Sequence, residues 1–275
     1  MEKRSFLSRI GMWGLTLILI AYVVGPIAWM VDASFQARVE LFSRPPTWLP
    51  SSLYLKNYIE VLGDLVLLKS LGNSFIVASF TTLISLTLGS LAAYAFARLR
   101  MPGKKSLFLA ILTTQMLPGV VLLIPLYMIM RTFGLVGTYR GLILAYVGFS
   151  LPYVIWLLRP FFLSIPTEIE EAARIDGCSR LAAIIRIILP LSMPGFVSTG
   201  IFVFIGAWNE FIMATILTNS ATKTFTVKVA QFATEESTAV EHMFAAAVIG
   251  SLPVMILALF LQRQIVEGLT EGGVK

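Results

Sequence analysis

Long stretches without a formal charge alternate with short charged ones along this chain. Runs free of Asp, Glu, Lys and Arg cover residues 10–31, 70–97, 106–130, 141–158, 187–209 and 243–262, and the shortest of them is 18 residues. A helix needs about 20 apolar residues to cross a ~30 Å hydrocarbon core, so each run is long enough to span. Barrel strands would instead show ~10-residue segments of alternating polarity, and lipid leaves backbone groups no partner outside helices or closed barrels. The pattern therefore predicts an all-α integral membrane protein with spans of about 10–31, 70–97, 106–130, 141–160, 187–217 and 243–262, in a single transmembrane domain over 1–275. Pro26, Pro118, Pro125, Pro152 and Pro253 fall inside these runs, where a missing N–H bends a helix unless neighbours satisfy the freed carbonyls.

Composition sharpens this picture by exclusion. The chain is 57% hydrophobic and 13% charged, with a mean hydropathy of +0.85, against roughly 45–50% and 25% in soluble domains. A water-soluble globule is excluded. One Cys and one His allow neither a disulfide framework nor a His/Cys zinc cluster. In a membrane chain the net charge of +6 reports orientation before it reports any partner, and no nucleic-acid partner is expected. With the N-terminus inside, the cytoplasmic segments hold 13 Lys and Arg and the external ones 8, and four of the 13 (Arg98, Arg100, Lys104, Lys105) crowd one short turn. Both termini are predicted to face the cytoplasm. A cleaved signal peptide is the competing reading of the first run, but 22 residues exceed the usual 7–15-residue apolar region and no A-x-A pattern follows.

The polar interval between the fourth and fifth runs carries the most information. Pro166 ends the preceding helix, Thr167 and Glu170 have capping-box spacing, and Glu170 and Arg174 stand at i,i+4. Ile169, Ala172 and Ala173 share a face of small and apolar side chains. Gly177 permits a left-handed turn, Ser179 can cap a second helix, and Pro190 is expected to stop it. The prediction is a helix-turn-helix over 166–190, for which an ordinary amphipathic loop helix lying on the headgroups is the plain alternative.

Glu171-Ala172-Ala173, Asp176-Gly177, then Ile187, Leu189-Pro190 and Pro194 resemble the EAA signature of ABC-importer permeases, with Cys178 where that family commonly has alanine. Gly206-Ala207-Trp208-Asn209-Glu210-Phe211 and the tail Gly268 to Lys275 narrow the resemblance to the carbohydrate-uptake branch, specifically the smaller permease of maltose-type importers. That resemblance implies a type I importer fold and a sugar cargo, a disaccharide or short oligosaccharide, with glycerol-phosphate as an alternative. It implies four kinds of partner: a second permease, a dimer of ATP-binding subunits, an extracytoplasmic solute-binding protein and membrane lipid. It places the chain in a bacterial or archaeal cytoplasmic membrane and assigns ATPase coupling to Glu171, Ala172, Ala173, Asp176 and Gly177. A regulatory tail would include Gly268, Thr270, Gly272 and Gly273, and the loop from Asn219 to Glu241 would reach toward the binding protein.

The remaining residues fit a passive pore half. No G-x-x-x-x-G-K-[ST] loop is present, so no cofactor is expected on this chain, and ATP and magnesium belong to the partner ATPase. Glu210 is the one acid in the fifth apolar region, a costly position that marks a functional candidate. Trp208, Asn209 and Glu210 together offer an aromatic face and polar groups for a sugar; equally, they suit an interface with the second permease, or a backbone opened by a helix break. His242, at the start of the last run, suits a hydrogen-bonded helix start better than a proton relay. An ion-coupled secondary transporter would carry more buried ionisable groups, and an intramembrane enzyme would need a nucleophile and base within the spans.

Overall fold

A computed structural model describes the backbone of residues 6–233 and 239–271, and the side chains of 11–233 and 239–262. Every element assigned among these residues is helical. In chain order they are α1 (Phe6–Ser34), α2 (Arg38–Leu41), α3 (Lys56–Gly63), α4 (Leu65–Arg98), α5 (Lys104–Thr113), α6 (Leu123–Thr132), α7 (Tyr139–Ser164), α8 (Thr167–Ile175), α9 (Arg180–Ala183), α10 (Leu189–Leu191), α11 (Met193–Asn209), α12 (Ile212–Leu217), α13 (Phe225–Gln231) and α14 (Val240–Glu271).

Four segments are long and apolar enough to cross a membrane unaided: Gly11–Ser34, Leu65–Arg98, Tyr139–Ser164 and Val240–Gln262. They contain four of the six predicted spans. The third and fifth are bent pairs rather than straight helices. Lys104–Met116 meets Gly119–Thr132 at 92°. Pro118 is the physical cause: it disfavours the α conformation in the residue before it, and Leu117 and Pro118 adopt ψ of 126° and 121°. Pro125 sits in the first turn of α6, where its missing N–H has no helical partner in any case. In the region of the predicted fifth span, Arg180–Leu191 meets Met193–Asn209 at 80°. The second hairpin helix does not stop at Pro190; it widens into a π segment over Ile184–Ile188 and ends at Leu191. A π turn leaves room for a proline ring that would clash with the carbonyl four residues back in a regular helix.

The chain forms two compact units. One comprises Met1–Leu68 with Lys228–Leu252. In it every residue from Gly11 to Trp29 is exposed, so α1 presents apolar surface on all sides, as a helix facing lipid or another membrane helix must. Its C-terminal end is tied to the following loop. Asn57 Nδ2 donates to the carbonyls of Ser34 (3.0 Å) and Gln36 (2.9 Å), and Trp29 packs edge-on against Trp48. Asp64 caps α4 by accepting from the N–H groups of Val66 (2.8 Å) and Leu67 (3.1 Å), and its other oxygen lies 3.2 Å from Lys228 Nζ. His242 Nε2 lies 2.7 Å from Glu60 Oε2, joining the start of α14 to α3 as a hydrogen-bonded helix start.

The other unit comprises Lys69–Val227 with Pro253–Lys275. One cluster joins Ala93, Tyr94 and Phe96 of α4 to Val154, Leu158 and Phe162 of α7, Ile188 of the hairpin's second helix and Val203 of α11. A second joins Val77, Leu142, Ala145 and Tyr146 to Ala214 and Leu217. Close approach is built in at Gly195, where an added Cβ would lie 2.5 Å from the Phe161 ring. Two basic residues close the C-terminal end of α4: Lys104 Nζ of the crowded turn donates to the Leu99 carbonyl at 3.2 Å, and Arg159 Nε of α7 donates to that of Phe96 at 3.4 Å. Besides bearing on topology, these charges satisfy carbonyls a helix end leaves open.

Candidate functional site: the hairpin and the broken helix

Of the predicted hairpin, α8 is bounded by local chemistry. Its end is closed by two hydrogen bonds, from Gly177 N–H to the Arg174 carbonyl (3.2 Å) and from Cys178 N–H to that of Ala173 (3.0 Å). Gly177 holds φ at +88°, a conformation that L side chains rarely adopt. The predicted cap of the second helix is present, Ser179 Oγ accepting from Ala182 N–H at 3.2 Å. The predicted capping box at the other end is not. Thr167 is already inside α8, and Pro166, which precedes it, makes no side-chain cap.

Glu170 is used differently from the prediction. Rather than reaching back to a cap or forward to Arg174, it turns inward and is buried. Tyr94 Oη donates to Glu170 Oε1, while Arg98 Nε lies 3.8 Å from Oε2 and Arg180 Nε 3.9 Å from Oε1. Arg98 Nη2 also donates to the carbonyl of Ile165, the residue that caps the end of α7. No short-range pattern announces this cluster, since Tyr94 and Glu170 are 76 positions apart. The nearest signal was the surplus of acids in one turn.

The five residues assigned to coupling do not share one environment. Glu171, Ala172, Asp176 and Gly177 are exposed, whereas Ala173 is buried with Glu170 on the inner face of α8. Ile175, fully C-terminal on α8, is 86% exposed. A small-residue patch, a glycine turn and an apolar side chain thus lie open on a short, doubly capped hairpin. That chemistry suits protein contact and offers no catalytic group.

The second predicted group divides as well. Trp208 is buried, its indole stacked against Phe204 (5.9 Å) and Phe225 (6.3 Å) within the chain. Asn209 is exposed. Glu210 lies at the break after α11, with extended backbone (ψ 129°). Its carboxylate accepts from Met213 N–H (2.8 Å), Ala214 N–H (2.9 Å) and Tyr146 Oη (2.8 Å). It therefore satisfies donors freed by the break, as an acid at a helix N-terminus does. Glu210 also borders a pocket of about 360 Å³ that includes Gln115, Tyr146, Phe149, Ser150 and Tyr153. The sequence did not single out the last five, because the α5 break and α7 contribute them through tertiary packing. Within the predicted tail, α14 runs as helix to Glu271 with Gly268 and Thr270 in it, while Gly272 and Gly273 lie outside the described residues. So do Lys3, Arg4, Lys275, Glu235 and Glu236.

No group of three or more His, Cys, Asp or Glu suited to a metal ion occurs among the described residues. Comparison with known proteins adds identity to this geometry. Residues 85–271 match the family model described as binding-protein-dependent transport system inner membrane component. The chain is 38% identical over 259 residues to the sulfoquinovosyl glycerol transport system permease SmoH of Agrobacterium fabrum, covering 94% of this chain and 91% of that one. It is 37% identical to the trehalose transport system permease SugB of Mycobacterium tuberculosis (95% and 96% covered). Identity is again 37% to the trehalose/maltose transport system permease MalG of Thermococcus litoralis (94% of each). In fold it resembles a chain of a bacterial ABC transporter that imports the acidic polysaccharide alginate, with a TM-score of 0.80 at 24% identity over 96% of this chain and 99% of that one. The chain thus belongs to the binding-protein-dependent inner membrane transport components and, among them, to the carbohydrate-uptake ABC permeases: it is a transport subunit rather than an enzyme, with ATP hydrolysis lodged in a separate subunit.

Proposed function

We propose that this chain is one half of a two-permease pore that passes a disaccharide or short oligosaccharide across the cytoplasmic membrane, driven by a pair of ATPase subunits docked on the 166–190 hairpin. The bent pairs each count as one span in this reading, giving six, with both termini in the cytoplasm and the loop from Asn219 to Glu241 turned toward an extracytoplasmic binding protein. The observation that carries it is the exposure of Glu171, Ala172, Asp176 and Gly177 on a hairpin whose turn is closed by its own backbone and Ser179. ATP-driven closure can move the spans only through an element that does not bend, and small side chains allow a partner backbone to come close. The helical tail containing Gly268 and Thr270, with Gly272 and Gly273 beyond it, would enter the same ATPase interface as a regulatory element.

For the cargo, the pocket beside Glu210 supports a neutral sugar over glycerol-phosphate. Gln115, Ser150 and Tyr153 supply amide and hydroxyl groups, Phe149 and Phe202 supply apolar ring surface, and no Lys or Arg lines it, so this pocket offers no cation to a phosphate. Trp208 and Glu210 serve this path indirectly by fixing the corner between α11 and α12, and Asn209 is left to face the second permease or the lumen.

The test is reconstitution of the chain with its second permease, ATPase pair and binding protein in proteoliposomes. Ala172→Arg is expected to abolish the stimulation of ATP hydrolysis by disaccharide-loaded binding protein while the permease pair still assembles. Normal stimulation in that variant would refute the docking assignment.

A further inference from the structure

The hairpin is joined to α7 only through Ile165 and Pro166, whose extended conformations (ψ 126° and 138°) interrupt the helix. A lever attached through two non-helical residues swings about that corner unless something else holds its root. Helical hydrogen bonds cannot do so here, because the corner has none of its own, and Pro166 lacks an N–H.

The cluster around Glu170 supplies the missing restraint. Tyr94 and Arg98 are one turn apart at the C-terminal end of α4, and both reach Glu170. Arg98 also takes the Ile165 carbonyl, gripping the corner itself. Arg180 approaches the same carboxylate from the first residue of α9, so both arms of the hairpin meet at one side chain. Glu170 and Arg98 are each about nine-tenths buried as side chains, which makes this a specific contact in a low-dielectric setting rather than a screened surface pair. Arg98 Nε is moreover buried without a hydrogen-bond partner, 3.8 Å from the carboxylate. An unmade charge-assisted bond of this kind can close when the hairpin is pushed inward by a small amount.

We infer that Glu170 is the positioning residue through which movement of the hairpin is passed to α4, acting by its contacts to Tyr94 and Arg98 and not by touching the ATPase. The inference rests on the proposed docking of the ATPase pair on the hairpin. Its consequence is that hairpin displacement reaches α4 through the Glu170 cluster as well as α7 and α11 through the chain. Without Glu170 the chain itself and the single Arg98–Ile165 hydrogen bond remain, and rotation at Ile165–Pro166 absorbs part of each stroke.

The experiment uses the assembled transporter in proteoliposomes and reads sugar moved per ATP hydrolysed, together with retention of the ATPase pair on purification. Glu170→Ala and Arg98→Ala are each expected to retain the ATPase pair and to lower sugar moved per ATP about tenfold, the size expected for loss of one charge-assisted hydrogen bond. The double variant should lose less than the product of the two single losses, because both remove the Arg98–Glu170 contact. Glu170→Gln, which keeps an acceptor for Tyr94, should recover part of the loss. Unchanged sugar per ATP in Glu170→Ala overturns the inference, as does a multiplicative effect in the double variant. Loss of the ATPase pair in Glu170→Gln would make Glu170 a docking residue and overturn it too. If Glu170→Ala does not assemble, Tyr94→Phe, which deletes one hydroxyl, takes its place, and wild-type transport per ATP in both Tyr94→Phe and Glu170→Gln is the refuting result. Ala172→Arg separates the two ideas: if it leaves stimulation intact, the docking assignment itself falls, whereas uncoupling by Ala172→Arg with normal Glu170→Ala defeats only the role of Glu170.

Discussion

Gly177 offers a test in which conformation can be separated from size. At φ +88° an L side chain pays roughly 1–2 kcal/mol, yet a Cβ built at this position meets nothing within 4 Å. The penalty of Gly177→Ala is therefore conformational, with no steric part inside the chain. A cost of 1–2 kcal/mol corresponds to a factor of about 5–30 in the population of the closed turn. The two hydrogen bonds that close α8, from Gly177 and Cys178 N–H, should open together. Amide hydrogen exchange on the purified permease reads this directly: Cys178 should exchange about 5–30-fold faster in Gly177→Ala. Gly177→Asn should exchange close to wild type because Asn tolerates the left-handed region, and Gly177→Val should be the fastest. In the reconstituted transporter, stimulated ATP hydrolysis should follow the same order if the turn's shape is what matters. An order set by side-chain volume, with Asn worse than Ala, would mean that Gly177 acts by leaving room for the partner. Unchanged exchange in both Gly177→Ala and Gly177→Val would refute the conformational argument altogether.

Three further outcomes are expected. Glu210→Ala removes the acceptor for two α12 N–H groups and Tyr146 and should cost about 1–3 kcal/mol, read as a lowered melting temperature in detergent; Glu210→Gln should retain part of that stability, and equal melting of Glu210→Ala and wild type would dismiss the capping role. Gly195→Ala places a methyl 2.5 Å from the Phe161 ring and should cost about 1–3 kcal/mol by overpacking, with Phe161→Leu in the same chain relieving it; additive losses would show that the two positions do not meet. Asp64 has its pKa lowered from 3.8: burial raises it, but hydrogen bonds from Leu67, Lys228 and Val66 and the Lys228 charge outweigh burial. A depressed carboxylate contributes stability that is complete above its ordinary value and is lost as pH falls through the lower folded value, so melting measured downward from neutrality should begin to drop near pH 3.8. Asp64→Asn should flatten that part of the profile, and an identical drop in the variant would assign it to other carboxylates.

How far the sequence foretold this structure depends on the range of the interaction involved. Four helices were legible because length and apolarity are local and sufficient. The hairpin turn was legible for the same reason: Gly177 and Ser179 act on residues three or four positions away. Of the five prolines marked within the runs only Pro118 lies at a break, while Pro26, Pro152 and Pro253 sit inside single helices. The 92° break at Pro118 depends on Leu117 and Pro118 both adopting extended backbone, and the 80° break comes at Ser192, between Pro190 and Pro194 rather than at either. Glu170 was misassigned because its polar neighbours on α8 offered plausible local partners, while its actual ones are brought in by packing of α4 and α9. For Trp208 the sequence leaves sugar contact and a structural role both open, because the stacking of Phe204 and Phe225 on its indole is set by packing.

These differences share a physical cause with consequences for a membrane pore. In lipid a break in a helix frees backbone donors that must be met inside the protein. At the α11–α12 break one carboxylate meets two of them, and it is the same carboxylate that borders the polar pocket. At 17 residues, α11 is about 25 Å long, short of the ~30 Å hydrocarbon core, so α11 by itself does not reach across it. The shortness of α11, the placement of Glu210 and the polar lining contributed by Gln115, Ser150 and Tyr153 are thus one arrangement. Movement that reaches α11 from the hairpin through the 80° bend at Ser192 would act at the other end of the helix that carries the pocket wall.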